Sequence, residues 1–200
     1  LGNENKAYYF FKKTIGLDPN HQGAKFKKEL LMGNKVESIP RNYLEDHFDN
    51  FSETFEKHLL LSLNYSVPSE IAKILSEQFD ENYSFKNILD LGCGTGLCGA
   101  RIQNLFLNLT GVDISQRMLA KAAEKSIYTK LIHQDILKFL KITKETYEII
   151  IAADVLIYIG NLDEIFKHSY KKLDKNGRFI FSVEELKFGT YKAAYNGRFL

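Results

Sequence analysis

The sequence predicts an α/β protein: a parallel sheet flanked by helices, with a helical segment ahead of it. Three observations carry this. From residue 87 onward, short apolar runs alternate with helical stretches. One run, 147–155, is almost continuously apolar, as in a strand buried on both faces. Four of the thirteen glycines crowd into residues 92–99, between a strand-like run and a helical one.

The elements follow in order. Residues 1–16 read as a helix stopped by Leu17-Asp18-Pro19, because the residue before a proline avoids the helical region. A second helix runs from residue 20 or 21 to 32 and ends at Gly33-Asn34. Between 41 and 63, Tyr43, Leu44, Phe48, Phe51, Phe55, Leu59 and Leu63 recur mostly at spacings of three or four, for one amphipathic helix or two short ones. Ile71, Ile74, Leu75 and Phe79 line one face of a helix over 67–79, with Pro68 in its first turn. Strands are expected at 87–91, 109–113, 130–133, 147–155 and 177–184, and helices at 97–106 and 115–125, with a helical turn at 136–140. Ser115 caps one helix, and Asn161 caps the last, with Glu164 at capping-box spacing. The domain boundaries expected are therefore 1–35, a helical segment; 36–86, a helical lid or linker; and 87–200, the sheet.

Composition narrows the function classes. The 200 residues are 44% hydrophobic and 26% charged, which excludes collagenous and disordered chains. With 27 basic against 25 acidic side chains, there is no concentrated positive excess and no indication of a nucleic-acid partner. The longest apolar stretch is broken by Asp154 and falls far below the ~20 residues of a membrane span. No signal segment opens the chain, and two cysteines make no disulfide framework, so the cytoplasm is expected. Cys93 and Cys98 lie in a glycine loop without a neighbouring histidine, which argues against a zinc site.

The chemistry concentrates around that loop. Ile88-Leu89-Asp90-Leu91-Gly92-Cys93-Gly94-Thr95-Gly96 ends a strand and opens a helix, where a Cβ would collide with an approaching ligand. A dinucleotide fingerprint reads Gly-x-Gly-x-x-Gly; here the spacing is Gly-x-Gly-x-Gly with Asp90 just ahead of it. A carboxylate beside the loop suits a positively charged ligand better than a pyrophosphate. Asp113 ends the next strand, 21 positions after Gly92, where a carboxylate accepts from both hydroxyls of a ribose. Other readings stay open: Asp113 as a turn residue, Asp90 or Asp135 as helix caps, and Asp154 with a structural partner. His133 reads as a strand-end residue, and His58 as a solvent-facing residue or a base.

Asp90-Leu91-Gly92-Cys93-Gly94-Thr95-Gly96 resembles motif I of class I S-adenosylmethionine-dependent methyltransferases. Gly111-Val112-Asp113-Ile114-Ser115 resembles their second motif, Gln134-Asp135-Ile136 the segment flanking the adenine, and Ala152-Ala153-Asp154-Val155-Leu156-Ile157-Tyr158 motif IV. The likeness spans roughly 85–185 in the family's order. Within that class, Asn42-Tyr43-Leu44, His47-Phe48-Asp49, Phe55-Glu56-Lys57-His58-Leu59 and Asn196-Gly197-Arg198-Phe199 resemble bacterial predicted methyltransferases with tetratricopeptide repeats ahead of the domain. The resemblance implies a Rossmann-like sheet and S-adenosylmethionine as cofactor. It implies Asp90, Gly92, Cys93, Gly94 and Gly96 facing the methionine moiety and Asp113 on the ribose. Ile114 and Met118 would sandwich the adenine, with Asp135 and Ile136 at its edge. The carbonyl of Ala152 or Ala153 would take the ammonium. Asp154, Val155 and Tyr158 would border the methyl, with His58 as a candidate base and Tyr43, Phe48, Phe51 and Tyr65 as an aromatic lid.

Ala7, Phe11, Ile15 and Leu17-Asp18-Pro19-Asn20 match the later half of a tetratricopeptide repeat, which implies stacking on further helices and a protein partner recruited there. The expected function is methyl transfer to an unidentified small-molecule or protein acceptor. The alternative is a non-catalytic cofactor-binding or scaffold protein on the same fold, with an NAD-linked oxidoreductase third. The family has seven strands and this chain supplies five readable ones, so it is expected to be a window cut from a longer protein, inactive as it stands.

Overall fold

The computed structural model describes residues 2–34, 36, 38–80, 83–186, 193–194 and 198–199. They form two compact units that do not follow chain order. The larger holds Glu45–Leu156 and Leu162–Ser182; the smaller holds the described residues of Leu1–Leu44, Ile157–Asn161 and Val183–Leu200.

The larger unit is the sheet. Its strands are β1 (Phe85–Leu91), β2 (Phe106–Asp113), β3 (Lys130–His133), β4 (Tyr147–Ala152) and β5 (Leu173–Phe181), all parallel, in the order β3-β2-β1-β4-β5. Ile88, Leu89 and Leu91 of β1 and Ile149, Ile150 and Ile151 of β4 are fully buried. Helices therefore cover both faces of the central strands, and the period-two alternation disappears. Each such isoleucine removed to alanine would cost about 2–5 kcal/mol. The chain winds outward from β1 to β3, then returns to place β4 on the other side of β1. That reversal opens a crevice at the carboxyl ends of β1 and β4, where doubly wound sheets bind ligands.

The helices of this unit are α5 (Val67–Gln78), α6 (Leu97–Arg101), α7 (Gln116–Glu124), α8 (Ile136–Ile142) and α9 (Asp163–Lys172). Pro68 stands in the first turn of α5, which lays Ile71 and Leu75 on Phe85, Ile88, Cys98, Ile102 and Leu109. Ser115 caps α7 through its hydroxyl, which accepts from the Met118 amide at 3.1 Å, as its spacing predicts.

Several boundaries differ from the sequence expectation. The helix expected over 97–106 stops at Arg101, and β2 starts at Phe106 instead of 109. Phe106 is in register with Phe85, and the Phe85 amide donates to the Leu105 carbonyl, so the ladder with β1 extends both strands. β4 ends at Ala152 because Asp154 takes a left-handed φ of 51°. β5 starts at Leu173, four residues early, by means of an irregularity opposite Tyr147–Ile149. The cap of α9 is Leu162, with no side-chain cap bond, and not Asn161.

The smaller unit holds α1 (Gly2–Leu17) and α2 (Gln22–Leu31), the latter capped by His21, whose Nδ1 accepts from the Ala24 amide. Phe26, Ile39 and Phe199 form its buried centre, with Leu30, Val36, Tyr43, Leu44, Tyr158 and Ala193 around them. Ala193 and Phe199 pair in an isolated antiparallel bridge. Residues 187–192, 195–197 and 200, where a sixth strand was looked for, and Asn196-Gly197 of the subgroup signature lie outside the described residues.

The segment expected as one or two helices over 41–63 is α3 (Arg41–Phe51), α4 (Phe55–Lys57) and a π-turn (His58–Ser62). The break falls at the buried Ser52, whose hydroxyl donates to the Asp49 carbonyl. No helix among the described residues is long and apolar enough to cross a membrane.

Candidate active site

The loop after β1 is built from backbone. Gly92, Gly94 and Gly96 have φ of 65°, 54° and 87°, the left-handed region that side chains disfavour. The Gly92 and Cys93 amides both donate to the Val112 carbonyl, which pins the loop to β2. The Gly94 amide donates to Asp113 Oδ2 at 2.8 Å, and the Ser115 amide to Oδ1 at 2.8 Å. Asp113 is buried; burial pushes its carboxyl up, opposed by the Ser115, Gly94 and Ile114 amides and by His133.

Asp90 is 1% exposed and accepts from the Tyr128 hydroxyl at 2.7 Å. Burial pushes its carboxyl up to about 7, against the Tyr128 hydrogen bond and with help from the Asp113 charge. The sequence reading missed Tyr128, which partners the buried Asp90. It also revises the reading of the glycines. A Cβ on Gly96, Gly99 or Gly111 would lie 2.9 Å or less from the Tyr128 ring or its hydroxyl, and one on Gly92 would lie 2.6 Å from Val155 Cβ. These four glycines make way for the protein's own side chains. Only Gly94 keeps open surroundings, with the Phe55 ring 3.7 Å from its Cβ position.

A strap of α3 and α4 runs beside the loop. Asp49 Oδ1 accepts from Ser115 Oγ at 2.5 Å and from the Arg117 amide at 3.2 Å. Glu53 pairs with Lys121 at 3.2 Å, Glu56 with Lys125 at 2.5 Å, and Glu45 with His133 at 3.3 Å. Glu45 and Asp49, four apart on α3, share one face of that helix, while Glu53 and Glu56 follow the break at Ser52. Phe55 meets Phe48 and Phe51 edge to face, at 6.4 and 5.5 Å between ring centroids. Glu56 also faces Thr95, whose buried Oγ1 has no hydrogen-bond partner of ordinary length among the described residues.

The turn after β4 is built from side chains. Asp154 is in the left-handed region without being glycine. Its amide donates to Ser182 Oγ at 2.7 Å, and that hydroxyl donates to Asp154 Oδ1 at 2.6 Å. The Tyr65 phenol faces Asp154, with Cys98 and Asp90 close by; burial first, then those groups, push its pKa up.

The remaining predicted residues divide. Ile114 is half-buried, and its carbonyl lies 2.7 Å from His133 Nε2. Met118 and Ile136 are buried on α7 and α8. Asp135 caps α8, accepting from the Lys138 amide at 2.9 Å, so the cap reading of this residue holds. The Ala152 carbonyl accepts from the Ser182 amide at 3.2 Å, so of the two carbonyls offered for an ammonium, Ala153 is the less engaged. His58 is exposed with its ring edge-to-face on Phe51. Tyr158 belongs to the smaller unit's cluster, beside Arg198, and Tyr43 packs there with Phe26. No group of three or more metal-ligating side chains occurs among the described residues.

Amides turned into one loop and two buried carboxylates suit a nucleoside ligand that carries positive charge. Comparison with known proteins agrees. Residues 89–179 match the methyltransferase domain family. The chain is 24% identical over 148 residues to a malonyl-[acyl-carrier protein] O-methyltransferase of Bacillus cereus, covering 72% of this chain and 54% of that protein. It is 31% identical to an uncharacterized protein of Haemophilus influenzae, covering 68% and 56%. A solved S-adenosylmethionine-dependent methyltransferase from Clostridium acetobutylicum superposes with a TM-score of 0.55 at 27% identity, over 64% of this chain and 56% of that one. The chain thus spans about half the length of the curated relatives it matches. Over residues 89–179 the chain is thus similar to the methyltransferase domain family, and its five-stranded order and the loop after β1 are those of a Rossmann-like methyltransferase fold.

Proposed function

We propose that this chain belongs to an enzyme that transfers the methyl group of S-adenosylmethionine to an acceptor, and that residues between Asp90 and Ala153 hold the cofactor. The observation that carries the reading is Asp113. Its carboxylate sits at the end of β2 and already gathers the Gly94 and Ser115 amides. A carboxylate has about four lone-pair sites, so two remain for the hydroxyls of a ribose. Asp90 serves the charged end: a buried acid poised near neutrality ionises when an ammonium or sulfonium arrives. Ile114, Met118 and Ile136 flank the adenine, Asp135 accepts from its amino group, and the Ala153 carbonyl takes the ammonium. Asp154 borders the methyl.

When bound, the cofactor supplies an electrophilic methyl on a positively charged sulfur. The chain's own residues do the rest. They orient both partners in line, and they keep water out with Phe48, Phe51 and Phe55. The Leu17-Asp18-Pro19-Asn20 terminator between α1 and α2 supports reading them as the later half of a tetratricopeptide repeat that recruits a protein partner.

Calorimetry with S-adenosylhomocysteine tests the proposal. Binding is expected, and Asp113→Asn should weaken it by about 1.5–3 kcal/mol, the range for hydrogen bonds to a charged group. Binding of NAD with no response to S-adenosylhomocysteine would defeat the reading. Release of S-adenosylhomocysteine during turnover separates an enzyme from a non-catalytic scaffold.

A further inference from the structure

The turn after β4 is the least economical feature of the site. A non-glycine residue in the left-handed region costs about 1–2 kcal/mol, and the chain keeps one at Asp154. Ser182 explains how. Its hydroxyl receives the Asp154 amide at 2.7 Å and donates to Oδ1 of the same residue at 2.6 Å, closing a ring that holds backbone and carboxylate together. Ser182 is itself fixed, since its amide donates to the Ala152 carbonyl at 3.2 Å. A carboxylate held this firmly, at the mouth of the β1/β4 crevice, has a defined direction.

The described groups that bear on it are a phenol, a thiol and a second carboxyl. Tyr65 presents its phenol to Asp154, with Asp90 and Cys98 beside it. Asp90 and Asp154 are the charged groups that bear on the Cys98 thiol. None of these groups is a cation, so an incoming carboxylate meets repulsion from them. An N–H or O–H meets an acceptor already aimed.

We propose that Asp154, locked by Ser182 and faced by Tyr65, selects the methyl acceptor. It takes an acceptor whose nucleophilic atom carries a proton, an amine or a hydroxyl, and it rejects a carboxylate. The inference rests on the methyl-transfer reading above. In the step it implies, the acceptor's lone pair forms the new bond to the methyl carbon. The carbon–sulfur bond breaks with its electron pair remaining on sulfur, and the acceptor's proton passes to the Asp154 carboxylate. Asp154 is then a catalytic residue, and Ser182 a positioning residue that acts through it.

Three four-carbon probes test this on the chain loaded with S-adenosylhomocysteine: butylamine, 1-butanol and butyrate, followed by nuclear magnetic resonance at Tyr65 and Asp154. Butylamine is expected to bind about tenfold or more tightly than butyrate, with 1-butanol between them. Asp154→Asn should bring amine and carboxylate within about threefold of each other. Ser182→Ala should lower the discrimination, and Ser182→Thr, which keeps the hydroxyl, should restore it. Butyrate binding as tightly as butylamine overturns the proposal. So does the absence of any probe response at these two residues, or full discrimination in the Asp154→Asn variant. Failure of the wild-type chain to take S-adenosylhomocysteine defeats the methyl-transfer reading and this one together, whereas uptake with equal butyrate binding defeats this one alone.

Discussion

The two central strands end in turns that solve one problem by opposite means. After β1 the chain turns left-handed at three glycines, and the amides of the loop do the holding. After β4 it turns left-handed at Asp154, and a serine from the end of β5 does the holding. The first turn has no side chain at its critical positions, so nothing in it can be tuned without loss. The second is a side-chain device, open to substitution. Under the proposed function, a loop of backbone suits a ligand that never varies, the cofactor, and a turn made of Asp, Ser and Tyr suits the partner that differs between enzymes, the acceptor.

Substitution at each turn should separate them most sharply. Gly92→Ala meets both a left-handed φ and Val155 Cβ at 2.6 Å, so urea unfolding should show a loss of about 2–5 kcal/mol. Val155→Ala in the same background should return the overpacking part, about 1–3 kcal/mol, as a coupling in a double-mutant cycle. Asp154→Gly goes the other way. It relieves strain and loses the Ser182 bond, two effects of about 1 kcal/mol each that should nearly cancel. A loss at Asp154→Gly as large as at Gly92→Ala would remove the contrast.

The next effect is a pH dependence. Asp90 has a folded pKa of about 7 against an ordinary 3.8, so the fold prefers it protonated. Stability from this group is complete below pH ~4 and is lost as pH rises toward ~7, by at most about 4 kcal/mol. Asp90→Asn should flatten that slope. Tyr128→Phe removes the hydroxyl that favours the ionised form, so the window should move to higher pH, at a cost of about 1–3 kcal/mol. Ionised Asp90 attracts a cationic ligand, so S-adenosylmethionine should bind up to about tenfold more tightly at pH 8 than at pH 6. An affinity flat over that range would place the positive charge elsewhere.

The same division explains what could be read from the sequence. β3 and the Ser115 cap were legible to the residue, because apolar runs and caps are local signals. The side that the proposed function gives to the cofactor is read from Asp90, the glycines and Asp113, which lie close along the chain. The early starts of β2 and β5 were not legible, because Phe106 is recruited by its register with Phe85, and Leu173 by an irregularity opposite β4. Tyr128 escaped because its glycine partners sit on three different segments, and their spacing equally fits a ligand. Ser182 escaped because only the sheet brings it to Asp154, 28 positions away.

The strap offers the smallest effects, and they sharpen the comparison by asking whether charge or geometry holds it. Asp49 makes two short-range bonds at the start of α7, so Asp49→Ala should cost about 1–2 kcal/mol. Glu56→Gln should cost less, about 1 kcal/mol or under, since its bond to Lys125 is partly exposed. Glu53→Gln should cost no more than a few tenths of a kcal/mol, its carboxylate being 75% exposed beside Lys121. Glu56 also gives a sign opposite to that of Asp90. Burial pushes its carboxyl up, but Lys125, Thr95 and Lys121 together hold it below the usual 4.5. Its contribution is therefore present above pH ~4.5 and lost on acidification, while that of Asp90 is lost on the alkaline side. A strap held by geometry keeps the order Asp49, Glu56, Glu53 in 1 M salt, where the Debye length falls to about 3 Å. A strap held by charge loses that order, and the exchange Glu56→Lys with Lys125→Glu would then restore only what salt had removed.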